Sequence, residues 1–277
     1  MKNSLFDSAE KAFIRENQWG KALYSLVEKE KGVKILEFLG TRWHFWKELK
    51  EKYPDKKIIV DGVTLENDIQ GQKVYDKVFT GRYDLLIGSE GLVRRFPYHL
   101  INLDYCGGGR YFDDSLRYFK LPEITKTIEL SLRKLDELHL LVTLDTADLI
   151  YPVQKSSYDP LINSPIWTDV DDFLERINNL DTRAYWLMIL GNVFEIAQWC
   201  GEHGYSITLE TEPYTYIAKS IGHKTRMISY YFRIDKKKRS ADSMYRGLLA
   251  QVKRTYWLEH RKGVMGEKFY NNAASYL

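Results

Sequence analysis

Short apolar runs exchange along this chain with stretches in which apolar residues recur every three or four positions, the pattern of strands alternating with helices. The first 30 residues read as helix, with Ala22, Leu23, Leu26 and Val27 at helical spacing, and Gly32 follows as a stop. Val33 to Phe38 (VKILEF) is then a short strand that ends at Gly40. Trp43, Phe45, Trp46 and Leu49 return to helical spacing within Thr41 to Tyr53, and Pro54 closes that segment before a strand at Lys57 to Asp61 (KIIVD). The unit repeats as a helix over Thr64 to Phe79 and a strand over Tyr83 to Ile87. A strand at Leu100 to Tyr105, a helix over Pro122 to Leu135 and a strand at Leu138 to Leu144 (LHLLVTL) continue it. Short apolar strands alternating with helices predict a parallel sheet covered on both faces.

After Tyr151 the texture changes. Pro152, Pro160 and Pro165 mark a loop, and Val170 to Cys200 forms a long helical region rich in Leu, Ile, Trp and Phe. Tyr205 to Ile217 and Thr225 to Ile234 are strand candidates that could pair as a hairpin on one edge of the sheet. No internal repeat or low-complexity linker divides the chain.

Composition narrows this picture. With 277 residues and 44% hydrophobic content the chain can close a full core, so disorder is not expected. The formal net charge of +3 does not by itself call for a polyanionic partner. Two cysteines, Cys106 and Cys200, and six histidines without ligand spacing point to neither a disulfide scaffold nor a metal site. The N-terminus lacks a signal-like apolar run and no stretch is long enough to span a bilayer, which predicts a cytoplasmic protein without a membrane partner.

In parallel α/β sheets ligands gather at the carboxyl ends of the strands, so the residues there are the candidates for chemistry. Glu37 and Gly40 follow the first strand, where a glycine admits a close backbone approach and the next helix offers free N–H groups. Asp61 ends the second strand at a spacing suited to ribose hydroxyls, and Gly88-Ser89-Glu90 follows the third. A turn or a helix cap would account for each of these alone. The single glycine of the first loop is not a full GxGxxG fingerprint, which argues against NAD or FAD.

The fourth strand ends in Ile101-Asn102-Leu103-Asp104-Tyr105-Cys106-Gly107-Gly108-Gly109. This segment resembles the LDPYG stretch of the tRNA N2,N2-dimethylguanosine methyltransferases, a type of class I S-adenosylmethionine (SAM) dependent methyltransferase. Leu141-Val142-Thr143-Leu144-Asp145-Thr146-Ala147-Asp148-Leu149 is similar to their fifth strand. The resemblance covers residues 33 to 150, with Tyr105 standing where the family has proline. It implies a Rossmann-like domain, and with the residue pattern on either side of it the expected fold is α/β: a Rossmann-like parallel sheet with helices on both faces and an antiparallel C-terminal hairpin, plus N-terminal helices and a basic C-terminal helical tail. The division expected is an N-terminal helical segment (1–32), a Rossmann-like domain (33–235) and the tail (236–277). SAM is the implied cofactor. By the resemblance Glu37 and Gly40 belong to its methionine side, Asp61 to the ribose, Glu90 to the adenine, and Asn102 to the same cofactor-binding set. Asp104 and Tyr105 would be the catalytic residues facing the methyl group and the target.

A carboxylate beside an aromatic face suits a nitrogen acceptor on a base, since one holds the amine and the other stacks. Cys106 reads better as a packing thiol than as a nucleophile. The tail holds ten Lys or Arg against three acids, interleaved with Tyr245, Tyr256 and Trp257. Such a composition suits phosphate contact and base stacking, so a nucleic acid, RNA before DNA, is the expected partner. A catalytically inactive binding or scaffold protein is the alternative expectation.

Overall fold

The computed structural model describes residues 9–38, 43–64, 74–108, 110–113, 116–119, 121–145, 159–177, 180–220, 223–237, 239–261 and 264–269. Helix α1 (Ala9–Ile14) runs into a π-helical turn, Arg15–Gly20, and then into α2 (Lys21–Lys29). Strand β1 (Gly32–Phe38), α3 (Trp43–Lys52), β2 (Lys57–Thr64) and β3 (Lys77–Thr80) follow. Two single-turn helices, α4 (Tyr83–Leu86) and α5 (Glu90–Val93), lead to β4 (Leu100–Gly108). A small antiparallel pair, β5 (Arg110–Asp113) and β6 (Leu116–Phe119), precedes α6 (Leu121–Leu132) and β7 (Glu137–Asp145).

Helices α7 (Asp159–Ile162), α8 (Trp167–Glu175) and α9 (Leu180–Glu202) carry the chain to β8 (Ser206–Leu209), β9 (Tyr214–Ser220) and β10 (His223–Asp235). The tail supplies α10 (Ala241–Val252), and beyond it two strands that the hydrophobic pattern does not single out, β11 (Tyr256–Arg261) and β12 (Val264–Phe269).

Among the described residues the main sheet has the order β12-β11-β9-β10-β7-β4-β1-β2-β3, with β8 also on β10. Strands β3, β2, β1, β4 and β7 are parallel, and β10 runs antiparallel to β7. Segments β8 and β9 lie end to end along the same edge of β10, so the expected C-terminal hairpin is present with its first arm interrupted at Glu210–Pro213. The fold is Rossmann-like. Its chain first builds outward through β1, β2 and β3, then returns to the other side of β1 with β4, which makes the β1/β4 boundary the topological switch point.

The alternating strand positions feed two cores. Val33, Ile35, Ile58, Val60 and Leu100 pack beneath Leu23, Val27 and Trp46 of the N-terminal helices and α3. Leu36, Val63, Ile101, Leu103 and Val142 pack on the opposite face against α6 and α9. Helix α9 is apolar nearly all round because it is enclosed by α6, α7, α8 and α10.

The third strand departs from the sequence-based expectation. Tyr83 and Ile87, spaced four apart, are buried, whereas Leu85 between them is 69% exposed. That is a helical rather than a strand period, and α4 forms there. The strand that pairs with β2 is Lys77–Thr80, inside the segment whose pattern predicts helix, and β2 itself runs three residues past Asp61.

Candidate functional site

Glu37 sits one residue from the end of β1, with Gly62 of β2 beside it on one side and Asn102 of β4 on the other. Ile35 and Val33, two and four residues back, belong to the core under the N-terminal helices, and strand alternation puts Glu37 on that same face. The same reasoning from Leu100 places Asn102 and Asp104 there too. The pair Glu37–Asn102 therefore straddles the switch point at the carboxyl ends, with no side chain on Gly62 to crowd it. Glu37 is fully buried and Asn102 is 2% exposed.

The Asn102 side-chain nitrogen has no hydrogen-bond partner among the described residues. An amide donor buried in this way costs free energy unless a ligand satisfies it. A cofactor with hydroxyl, carboxylate or ring-nitrogen acceptors fits this donor, and one with hydroxyl or ammonium donors fits the carboxylate next to it.

The polar row continues across the sheet. Asp104 pairs in register with Thr143 of β7, and Thr143 with Ser229 of β10. The Lys11 ammonium of α1 lies 2.9 Å from Asp104 Oδ2, with both side chains nearly buried. Thr143 Oγ1 donates to Ser229 Oγ at 3.3 Å. Ser229 Oγ donates in turn to Gln18 Oε1 at 2.8 Å, and Gln18 Nε2 returns a bond to the Ser229 carbonyl at 3.2 Å.

Lys11, Gln18, Thr143 and Ser229 were not among the sequence candidates. A signal for the first two exists: Lys11, Ile14 and Gln18 share one helical stripe and all are buried, so polar residues interrupt an otherwise apolar face. Thr143 and Ser229 become visible only once the register of β7 and β10 is known.

Three expected site residues are placed elsewhere. Asp61 pairs with Leu36, not with Glu37, and so projects from the opposite face. There it accepts from Arg95 Nε at 2.8 Å, Arg95 Nη2 at 2.6 Å and Tyr98 Oη at 2.7 Å. The hydrogen bond to Asp61 holds the Arg95 guanidinium pKa above its usual range, and burial, followed by the same carboxylate, pushes the Tyr98 phenol upward. Asp61 is thus committed to a structural ion pair rather than placed at a strand end facing a ribose. Glu90 opens α5, is about three-quarters exposed and pairs with Arg94 one turn on, in a helix whose Leu92 packs into the core on the opposite face of the sheet. Tyr105 follows Asp104 on a strand and therefore points to the other face, where its hydroxyl donates to Glu123 at 2.9 Å and its ring meets Phe38 edge-on. Gly40 lies outside the described residues.

The tail aromatics are also packed. Tyr245 and Trp257 belong to the core, and Tyr256 stacks on Tyr214. Burial raises the Tyr245 phenol to about 12. Arg246 pairs with Asp169 and Asp242, Arg254 with Glu212, and Lys236 with Asp136. Lys236 and Lys237 follow Asp235, which pairs with Glu137 at the start of β7, so they lie at the amino edge of the parallel strands, and Lys238 lies outside the described residues.

No protein-family model matches the chain, and no curated sequence matches it. Among solved structures, it is similar to a protein assigned as a caffeoyl-CoA O-methyltransferase from Staphylococcus aureus. The identity is 13% and the TM-score 0.36, over 81% of this chain and 92% of the other. It is also similar to the plantazolicin methyltransferase BpumL in complex with SAH, at 11% identity and a TM-score of 0.34, over 84% of this chain and 93% of that one. At such scores neither likeness specifies a ligand or substrate for this chain. Among the described residues no helix is long and apolar enough to cross a membrane.

Proposed function

We propose that this chain is a SAM-dependent methyltransferase whose cofactor lies at the carboxyl ends of β1 and β4. The observation that carries this reading is the buried Glu37 carboxylate beside the unsatisfied Asn102 amide, at the switch point of a Rossmann-like sheet. Glu37 and Asn102 would hold the cofactor, which when bound supplies an electrophilic methyl group. Asp104, two residues beyond Asn102 on the same face, would accept a hydrogen bond from the acceptor and offset the positive charge that grows on it during transfer. The test is calorimetry with SAM and SAH, for which saturable binding of both is the expected result and no heat with either defeats the reading.

The acceptor in this reading is a nucleic-acid base, RNA before DNA. The Lys236–Arg239 run supports it, although the tail aromatics do not. That run follows Asp235, opposite Glu137 of β7, and Asp104 lies opposite Thr143, so a ligand touching both must span roughly 20–25 Å. A folded RNA reaches that far and a free nucleotide does not. Lys11 on Asp104 favours a second reading, a binding or scaffold protein that keeps the sheet without catalysis. Cofactor binding separates the two.

A further inference from the structure

A buried lysine ammonium against a buried carboxylate is costly to assemble, because both ions give up water for one contact. Lys11 makes this contact from a short helix that is otherwise held elsewhere. Ile14 is sunk in the core and Phe13 meets Tyr214 of β9 edge-on, while the lysine stem reaches back to β4. The next turn is π-helical, a widened geometry common where a helix serves a site. Gly20 closes that turn with no room to spare, since a Cβ there would meet the Arg15 carbonyl oxygen at 2.5 Å. Gln18, inside the turn, holds Ser229 on the polar row. The helix and its π turn thus reach the acceptor end of the row by polar contacts at Asp104 and Ser229, while their aromatic side chains pack elsewhere, Phe13 on Tyr214 of β9 and Trp19 on Phe45 and Trp46 of α3.

We propose that Lys11 occupies, in cis, the place on Asp104 that an acceptor nitrogen takes, so that α1 is a lid which an amine-bearing acceptor displaces. The Nζ–Oδ2 distance of 2.9 Å shows that the Asp104 niche accommodates a nitrogen carrying N–H donors at hydrogen-bond range. An acceptor cannot use that oxygen in the same way while Lys11 holds it. Displacement would be an exchange of one N–H···carboxylate contact for another, which keeps the buried carboxylate satisfied throughout. This inference rests on the assignment of Asp104 to the acceptor side, but its test needs neither SAM nor the natural acceptor.

Lys11→Ala opens the niche, and n-propylammonium chloride is the probe. The expected result is a saturable rise of a few degrees in the melting midpoint of Lys11→Ala, measured against equal sodium chloride. The parent and the Lys11→Ala/Asp104→Asn double variant should not respond, and tetramethylammonium, which has no N–H, should not replace the probe. Equal responses in all three proteins, or none in Lys11→Ala, overturn the proposal. Should Lys11→Ala fail to fold, hydrogen exchange of residues 9–20 in the parent decides. Faster exchange with propylammonium than with sodium supports the lid, and identical exchange rejects it. A positive amine response without SAM binding would sink the proposed function while leaving the niche in place.

Discussion

The Arg95 guanidinium closes on both oxygens of Asp61, and the Tyr98 hydroxyl adds a third hydrogen bond to the same carboxylate. Asp61 is fully buried, whereas the Arg95 side chain is about one-third exposed, so the cost of breaking the pair falls mainly on the tyrosine and on the lost packing. Asp61→Ala should therefore lower folding stability by about 2–4 kcal/mol, the scale of removing one partner from a buried, hydrogen-bonded charge pair. The affinity of the folded variant for SAM should stay within about twofold of the parent. Denaturant melts and calorimetry on the same samples measure both quantities. An unchanged melt with weakened SAM binding would return Asp61 to the ribose.

The opposite balance is expected at the switch point. Glu37→Gln and Asn102→Ala should each weaken SAM binding by about 1–3 kcal/mol, the range for losing a hydrogen bond to a charged or buried group. Asn102 gives the sharper test, because its amide nitrogen has no partner among the described residues to lose. If both variants bind SAM like the parent, the cofactor does not lie between β1 and β4.

How far these placements were legible depends on what sequence periodicity can carry. Strands β1, β4, β7 and β10 are central and buried on both faces, so their near-continuous apolar runs announce them. Strand β3 lies at the edge with Lys77 and Thr80 exposed, and its weak pattern loses to the stronger apolar run at Tyr83–Ile87, which is helix. Glu37 was accessible as a polar residue near the end of an apolar strand, and Asn102 as a polar residue within one. The engagement of Asp61 was not, because Arg95 and Tyr98 lie 34 and 37 residues away and meet it only through the fold. The separation of Asp104 from Tyr105 follows from the period of two alone, once both are placed inside β4 rather than in the loop after it.

His99 gives the stability a pH dependence of known sign. Its ring accepts the Lys34 backbone N–H at Nδ1 and is half-buried, and burial, the largest influence, lowers its pKa from the ordinary 6.5. The folded state thus favours the neutral ring, and the unfolded chain binds the proton more readily. This contribution is complete above 6.5 and is lost as pH falls through the depressed folded value, by at most about 1.4 kcal/mol per pH unit. Urea melts of the parent and of His99→Asn at about pH 7.5 and about pH 5.5 isolate it. The variant should be less stable than the parent at the higher pH, and the gap should narrow at the lower. A gap that stays constant would show that His99 does not titrate differently on folding.

The last expectation concerns the basic run at the far edge of the sheet. If Lys236, Lys237, Lys238 and Arg239 hold a phosphate backbone, log affinity for tRNA should fall linearly with log salt, by roughly 0.7–0.9 per phosphate neutralised. Replacing all four by Ala should flatten that slope. Lys236 is partly held by Asp136, an almost fully exposed acid that offers little competition to a phosphate. By contrast, Arg246 and Arg254 already face carboxylates, so Arg246→Ala should change the slope much less than the fourfold variant does. SAM affinity should be unaffected in every case, because Lys236 and Lys237 lie at the amino edge of the parallel strands, whereas Glu37 lies near the carboxyl end of β1 with Asn102 beside it. Should the parent show no salt-dependent binding to tRNA, single-stranded RNA or DNA, the acceptor is not a nucleic acid, and the run is a solvated link between β10 and α10.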